Sequence, residues 1–363
     1  MVSSTCRVGI VGAGTTGVYL AGLLTQQGYQ VDVFEKAPAP RTDGCGILLV
    51  QAGMKALFAG NSALCEQMIS VGVPVRNFEF RNLRGGVVNA ESVSYESGEL
   101  PGLLIHRTAI LETLLSFVPS DCLHFNADFK SLTQTEQGVT VEFQDGKQWE
   151  GDLLVGVDGI FSKVREFVVP GVELFYLGDL VWRGVVPDDD FCPEGSFILY
   201  VRGRGIYANF FSIGEGRTHW GFFIEKDEIE SPGKPCPVDI TIPPEELAKL
   251  PEPARSVIAS TPLEKMICRY SFDIEPLPRL YQGRVLLMGD AAHAKSPTRA
   301  RGMTAGFEDA LALSRHLVAA PDVATALAEF EAERMPIVHE YQRTSREISL
   351  KIGRGRKREK EAA

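Results

Sequence analysis

The sequence predicts an α/β fold: a Rossmann-like nucleotide-binding domain built from both ends of the chain, with an antiparallel β-sheet domain inserted between them. Three observations predict it. The chain opens on a strand, a glycine loop, a helix and a second strand. Its middle changes to short strands separated by glycine turns. Its last third returns to an apolar strand that runs through a loop into a helix. A length of 363 residues is ample for two joined cores.

The apolar run "RVGIV" over 7–11 is a short buried strand. After "GAGTTG", apolar Val18, Leu20, Ala21, Leu23 and Leu24 predict a helix over 16–27. Gly28 ends it, and 30–35 form a second strand, giving the βαβ opening of a parallel sheet. Residues 44–58 begin as a glycine-rich loop and become a helix. Residues 107–117 form another, with Ile110, Leu111, Leu114 and Leu115 at helical spacing. From 123 to 158 the pattern is short alternating strands, with "TVEF" and "QWEGDLLVGVD" on either side of the turn "QDGK". The turns "RGRG" and "GEGR" separate three antiparallel strands over 198–202, 206–213 and 218–224. A proline-rich stretch, 231–244, interrupts them, and helices resume after Ala300.

A net charge of −10 argues against a nucleic-acid partner, which needs a basic surface. The last 13 residues, with six Lys/Arg against two Glu, read as a solvated end. Seven scattered cysteines with no CxxC pair suit reduced thiols in a cytoplasmic protein, with neither a disulfide framework nor a metal site. No apolar run reaches membrane-spanning length, and 8–24 is too glycine-punctuated for a signal segment. Asp188-Asp189-Asp190 reads as a solvated turn and His293 as a satisfied structural histidine. A monomer or homodimer is expected.

"GAGTTG" places Gly12, Gly14 and Gly17 between strand and helix. Gly12 permits the tight turn, Gly14 lets backbone approach a pyrophosphate, and Gly17 allows helix–strand contact. Thr15 and Thr16 open the helix, whose free N–H groups attract phosphate. Glu35, at the end of the second strand, can accept from both ribose hydroxyls and disfavours a 2′-phosphate. Lys36 and Arg41 follow it and are assigned to the same site. The motif alone does not separate FAD from NAD.

Two later motifs do. "GVDGIFSKVR" follows the strand 153–155, and "GDAAHAKSP" follows the strand 285–288. With "GCGILL", "IHR" and "WRG", the chain resembles the class A flavoprotein aromatic hydroxylases over about residues 5–345. Their signatures are GxGxxG, a "GADGxxSxVR" motif and "GDAAHxxxPxxGxG". The resemblance implies an FAD-binding domain of the GR2 type from 1–75, 101–172 and 275–340. It also implies a substrate-binding sheet from 76–100 and 173–274, and a helix end with basic tail from 341. It implies FAD as cofactor, NADH or NADPH as transient reductant, and O2 and a small aromatic molecule as substrates, with oxygen transfer through a C4a-hydroperoxyflavin.

By that resemblance Asp290 meets the ribityl chain and Pro297 lies against the flavin ring. Gly302, Met303 and Thr304 turn their N–H groups toward the flavin N1–C2=O edge. Arg107 and Asp158 serve the flavin or pyrophosphate, Phe129 lies beside the adenine, and Gly46 belongs to the cofactor loop. The chain departs from the pattern at Ala300, which replaces a glycine, and at Thr304, where Asn is frequent. If position 300 requires φ > 0, Ala strains the loop. Arg299 and Arg301 flank that position and read as solvent-facing charges or as contacts for an acidic ligand.

Candidate walls for the substrate are Arg183, Tyr200, Tyr207, Asn209, Phe211, His219, Trp220 and Phe222. Residues 207, 209 and 211 share one strand face by simple alternation, whereas 219 and 220 point oppositely. No general base stands out. Related reactions remain open: N-hydroxylation, epoxidation or a tailoring oxidation of secondary metabolism; a further alternative is a flavin-binding protein without oxygenase turnover.

Overall fold

The computed structural model describes residues 2, 5–40, 44–187, 191–202, 205–226, 229 and 241–351. Arg41, the Asp188-Asp189-Asp190 triplet, most of the proline-rich stretch and the basic tail beyond 351 lie outside the described residues.

The first sheet runs in the order Tyr281–Gln282, Val285–Leu287, Leu153–Gly156, Arg7–Val11, Gln30–Glu35, Leu123–Phe125. Its last five strands pair in parallel, and Tyr281–Gln282 adds an antiparallel edge. Both ends of the chain thus meet in one sheet. The runs are apolar throughout because a parallel sheet is covered on both faces: Val8, Ile10, Leu153 to Val155 and Val285 to Leu287 are fully buried. The helices Thr15–Gln26 and Gly302–Ala319 pack together closely; a Cβ on Gly306 would lie 2.0 Å from the Thr16 hydroxyl. A three-stranded antiparallel sheet, Phe129–Gln134, Val139–Phe143 and Gln148–Gly151, puts the Trp149 ring against Gly9, 2.6 Å from where a Cβ would sit.

The second large sheet has seven strands: Ile267–Ile274, Leu174–Pro187, Arg217–Glu225, Gly205–Ser212, Ser196–Arg202, Asn77–Asn82 and Val87–Ser92. Its outer face carries Trp182, Tyr200, Trp220 and Phe222 under Leu250, Ala254 and Ile258. Its inner face carries Phe197, Leu199, Phe211 and Ile213 against Val73, Val75 and Leu104.

Local pattern misses several elements. "GILL", read as loop, is the strand Gly46–Leu49, paired antiparallel with Leu103–His106. Each segment satisfies the other's backbone, which no local window reveals. Helices resume before Ala300, at Pro244–Leu247 and Ala254–Ala259, and Ser62–Val71 is a further helix that the local pattern did not show. Glu308 and Asp309 lie in the second turn of a helix that already starts at Gly302. A single helix, Val323–Lys351, follows it and contains Pro336. Among the described residues, no helix is long and apolar enough to cross a membrane.

Candidate functional site

A cleft opens at the carboxyl ends of Arg7–Val11, Gln30–Glu35 and Leu153–Gly156, where parallel sheets of this kind bind ligands. Gly12 has φ +116° and donates its N–H to the Phe34 carbonyl at 2.8 Å. A Cβ there would lie 2.5 Å from the Val157 carbonyl, and one on Gly17 would lie 2.1 Å from the Gly12 carbonyl. These two glycines are required by the protein's own packing. Gly14 differs: beyond its two chain neighbours, no protein atom among the described residues lies within 4 Å of its missing Cβ. It keeps open a space on the cleft side. The helix it precedes has no side-chain cap and no acidic residue in its first turn, so its N–H groups are available to an anion.

Glu35 braces this loop. One carboxylate oxygen accepts from Ala13 N–H at 3.0 Å and the other from Ala37 N–H at 2.9 Å. Each oxygen retains a lone pair that a ribose hydroxyl can use. Lys36 and Arg107 line the same cleft, and Arg107 N–H donates to Cys45 O at 3.0 Å. The Asp158 carboxylate accepts from Ser162 Oγ at 2.5 Å and Lys163 N–H at 2.7 Å, so it holds its own loop folded. Lys163 Nζ donates to the Phe129 carbonyl at 3.1 Å, which occupies one backbone group offered to an adenine. Buried Arg165 ties the two later motifs together, donating to Ile160 O at 2.6 Å and to Ala291 O at 3.0 Å.

On the other side of the first helix's N-terminal turn, Gly289, where a Cβ would lie 3.2 Å from the Thr16 hydroxyl, has φ +57° and donates to buried Asp309 at 3.1 Å. The turn leaves the Asp290 side chain exposed, 3.9 Å from where a Cβ on Gly302 would be. The carboxylate therefore adjoins the N-terminus of Gly302–Ala319, which also lacks a side-chain cap and a first-turn acid. Met303 is half-buried. Thr304 is fully buried, and its hydroxyl has no hydrogen-bond partner among the described residues. Pro297 is exposed at the start of the turn Pro297–Arg299. Ala300 does take the left-handed conformation, φ +51° and ψ 33°, that the missing glycine would have taken freely. Arg301 stands over the Tyr341 ring at 5.3 Å, so it is held by the last helix; Arg299 is exposed.

The eight candidate wall residues separate. Arg183, Asn209, Phe211 and His219 lie on the inner sheet face, where Arg183 and Asn209 are both register partners of Gly221 and Phe211 is that of His219. Tyr200, Trp220 and Phe222 belong to the outer core, and the Trp220 N–H donates to Thr261 Oγ1 at 2.8 Å. Tyr207 joins them instead of sharing a face with Asn209 and Phe211. A register shift between Tyr200 and Val201 bulges the strand there, and the phenol donates to the Glu246 carbonyl at 2.6 Å. His219 closes the inner face onto Gly46, whose N–H donates to His219 Nδ1 at 3.0 Å. Burial, then Arg183 and His106, push its imidazole down to about 3, so it is a neutral acceptor. The Asn209 side-chain oxygen is buried with no partner among the described residues.

His293 is satisfied as expected, but by a charged set that sequence reasoning overlooks. Its Nε2 pairs with Asp309 at 2.6 Å and its Nδ1 accepts from Lys295 at 2.8 Å. Arg334 of the last helix then binds Asp309 at 2.9 Å. The signal in the sequence was a lysine two residues after His293, in a motif that carries no other cation. Among the described residues, no cluster of three or more His, Cys, Asp or Glu could hold a metal.

The residues present fit a dinucleotide that ends in a flavin. An uncapped helix and the open space at Gly14 suit a pyrophosphate, Glu35 a ribose, Asp290 a polyol, and the second uncapped helix a ring edge that gains negative charge. Comparison with known proteins agrees. A family model described as "FAD binding domain" matches residues 5–345. The 3-amino-4-hydroxybenzoate 2-monooxygenase of Streptomyces cremeus is 29% identical, over 96% of this chain and 88% of its own. The FAD-dependent urate hydroxylase of Klebsiella pneumoniae is 27% identical, over 90% and 85%. The crystal structure of Klebsiella pneumoniae HpxO with FAD and uric acid superposes with a TM-score of 0.86 at 25% identity, covering 98% of this chain and 91% of that one. The chain belongs to the FAD-binding-domain family and, within it, to the flavin-dependent monooxygenases of the aromatic-hydroxylase type.

Proposed function

We propose that the protein uses NADH or NADPH and O2 to insert one oxygen atom into an aromatic or heteroaromatic small molecule. The observation that carries this reading is the gathering of three distant segments around the first glycine loop: the loop at Gly12–Gly17 and the Asp158 loop line one cleft, and the Gly289 turn, which carries Asp290 beside the N-terminus at Gly302, abuts Thr16. Bound FAD supplies the electron transfer from the nicotinamide and the activation of oxygen.

The chain supplies binding, orientation and electrostatics. The helix N–H groups behind Gly14 hold the pyrophosphate, Glu35 the ribose, and Asp290 the ribityl hydroxyls. The N–H groups of Gly302 and Met303 face the ring edge that becomes negative on reduction, so charge stabilisation is in place before the reaction. Pro297 supplies an apolar wall without an N–H at the reacting edge. The substrate lies between that edge and the inner face of the seven-stranded sheet. There Asn209 offers a buried acceptor without an internal partner among the described residues and Arg183 a cation, over a floor that buried Phe211 supports. Neutral His219 does not compete as a charge; it shapes the floor through Gly46. Aminohydroxybenzoate and urate, named for two relatives, are ring compounds bearing donors and acceptors, which is the chemistry such a face recognises.

The test is consumption of NADH and NADPH by the FAD-loaded protein across phenols, anilines, aromatic acids and purine-like heterocycles, with product masses recorded. Stimulation by one compound, with a mass gain of one oxygen, is the expected result. Nicotinamide oxidation that yields only hydrogen peroxide with every compound would sink it.

A further inference from the structure

The buried ions behind the flavin loop are more than a structural plug. Lys295 occupies a position that the GDAAHxxxP pattern leaves open, and its side chain is nearly inaccessible, at 8% exposure. Its Nζ donates to His293 Nδ1 at 2.8 Å, and His293 Nε2 donates to Asp309 at 2.6 Å. Asp309 in turn accepts from Gly289 N–H at 3.1 Å, at the turn that aims Asp290. Arg334 bridges Asp309 and Glu308, each at 2.9 Å. Three carboxylates, Asp290, Glu308 and Asp309, therefore share this region with two cations, Lys295 and Arg334. Removing Lys295 would leave one cation, Arg334, against three anions, of which Asp309 is fully buried and Glu308 mostly so, where charge acts strongly, while Asp290 is exposed.

We propose that Lys295 is a positioning residue of the flavin site: it offsets the carboxylates Asp290, Glu308 and Asp309 and so lets the site accept the negative charge that arrives when the flavin is reduced. The proposal rests on the FAD site described above. The balance is simple: a reduced nicotinamide gives a hydride, two electrons and one proton's mass, and the ring gains one negative charge. Burial lowers the Lys295 ammonium's pKa, while Asp290 and Asp309 oppose that shift and favour the charged form, so lysine and ribityl-binding carboxylate act on one another.

The measurement is the midpoint potential of the bound flavin in a reductive titration against dye standards. It is made on the wild type, Lys295→Gln and Glu308→Gln, each with its FAD dissociation constant. Lys295→Gln keeps a hydrogen-bonding group but removes the cation; its reduction equilibrium should move about tenfold toward oxidised flavin, about 30 mV for a two-electron couple. Glu308→Gln removes an anion from the same set and should move it the other way. Shifts of opposite sign support the proposal. Shifts of the same sign, or none in either variant, overturn it, because loosened packing has no reason to follow the sign of the charge removed. If Lys295→Gln does not retain FAD, Glu308→Gln decides alone: an unchanged or lowered potential overturns the idea. A wild type that binds no FAD would instead overturn the cofactor assignment.

Discussion

At the scale of single residues, the glycines of one motif play separable roles. Gly17→Ala would drive a methyl to 2.1 Å from the Gly12 carbonyl, and overpacking of that kind costs about 1–3 kcal/mol. Gly14→Ala meets no protein atom, so the apoprotein should unfold at nearly the wild-type denaturant concentration. Its FAD dissociation constant should rise at least tenfold, because the methyl enters the space that backbone leaves for the ligand. Fluorescence titration with FAD and urea denaturation of the apoprotein separate the two outcomes; a Gly14→Ala variant that binds FAD normally would remove that glycine from the phosphate site. Ala300 works in the reverse sense. It holds φ +51° at a cost of about 1 kcal/mol, so Ala300→Gly should leave stability unchanged or raise it by up to about 1 kcal/mol, the gain reduced by glycine's greater chain entropy. A loss above that range would mean the methyl packs usefully.

At the scale of elements, the last helix is the brace of the flavin loop. Along one side it presents Tyr341 to Arg301, the Ser345 carbonyl to Thr298 at 2.9 Å, and Ser349 to Ser296, while Gln342 reaches the Ala294 carbonyl at 3.2 Å. Arg334→Met would leave Asp309 buried beside His293 without its guanidinium, and breaking a buried pair costs about 3–5 kcal/mol. Chemical denaturation should show a loss of that size; one below about 1 kcal/mol would mean water replaces the guanidinium. None of this bracing was legible in the sequence. The βαβ opening, the strand 285–287 and the three central antiparallel strands were legible, because each carries its own period and its own turn. The strand Gly46–Leu49 was not, since its reason for being extended lies far along the chain, at His106 opposite Gly46 and Ile105 opposite Ile47. The face of Tyr207 was not, because a bulge breaks alternation without changing composition. The ions Lys295, Asp309 and Arg334 were not, because a charged residue's burial depends on partners that the fold alone brings together. Glycine loops and motif carboxylates could be read as site residues; the supporting shell could not.

At the scale of the whole molecule, His219 couples the seven-stranded sheet to the strand Gly46–Leu49 through Gly46, and it does so as a neutral ring. In the unfolded chain its pKa is the ordinary 6.5, whereas in the folded protein burial holds it near 3. Between those values the unfolded chain binds more protons, so folding stability falls as pH falls, approaching about 1.4 kcal/mol per pH unit well below 6.5. Buried His293 is also shifted down and adds in the same direction. Urea denaturation from pH 7 to 5 should show this decline, and His219→Gln should make it shallower; equal slopes would remove His219 as the source.

The sheet that cradles the cofactor is woven from 7–35, 123–156 and 281–287, and its second helical terminus arrives only at Gly302. A ribosome delivers these pieces in that order. A nascent chain that has emerged through Gln282 has the first glycine loop but no Asp290, no Pro297 and neither Lys295 nor Arg334. The parallel sheet can therefore close only late in synthesis, when the short hairpin of Tyr281–Gln282 and Val285–Leu287 brings that apolar strand beside Leu153–Gly156; until then its buried faces are exposed surface of the kind that aggregates.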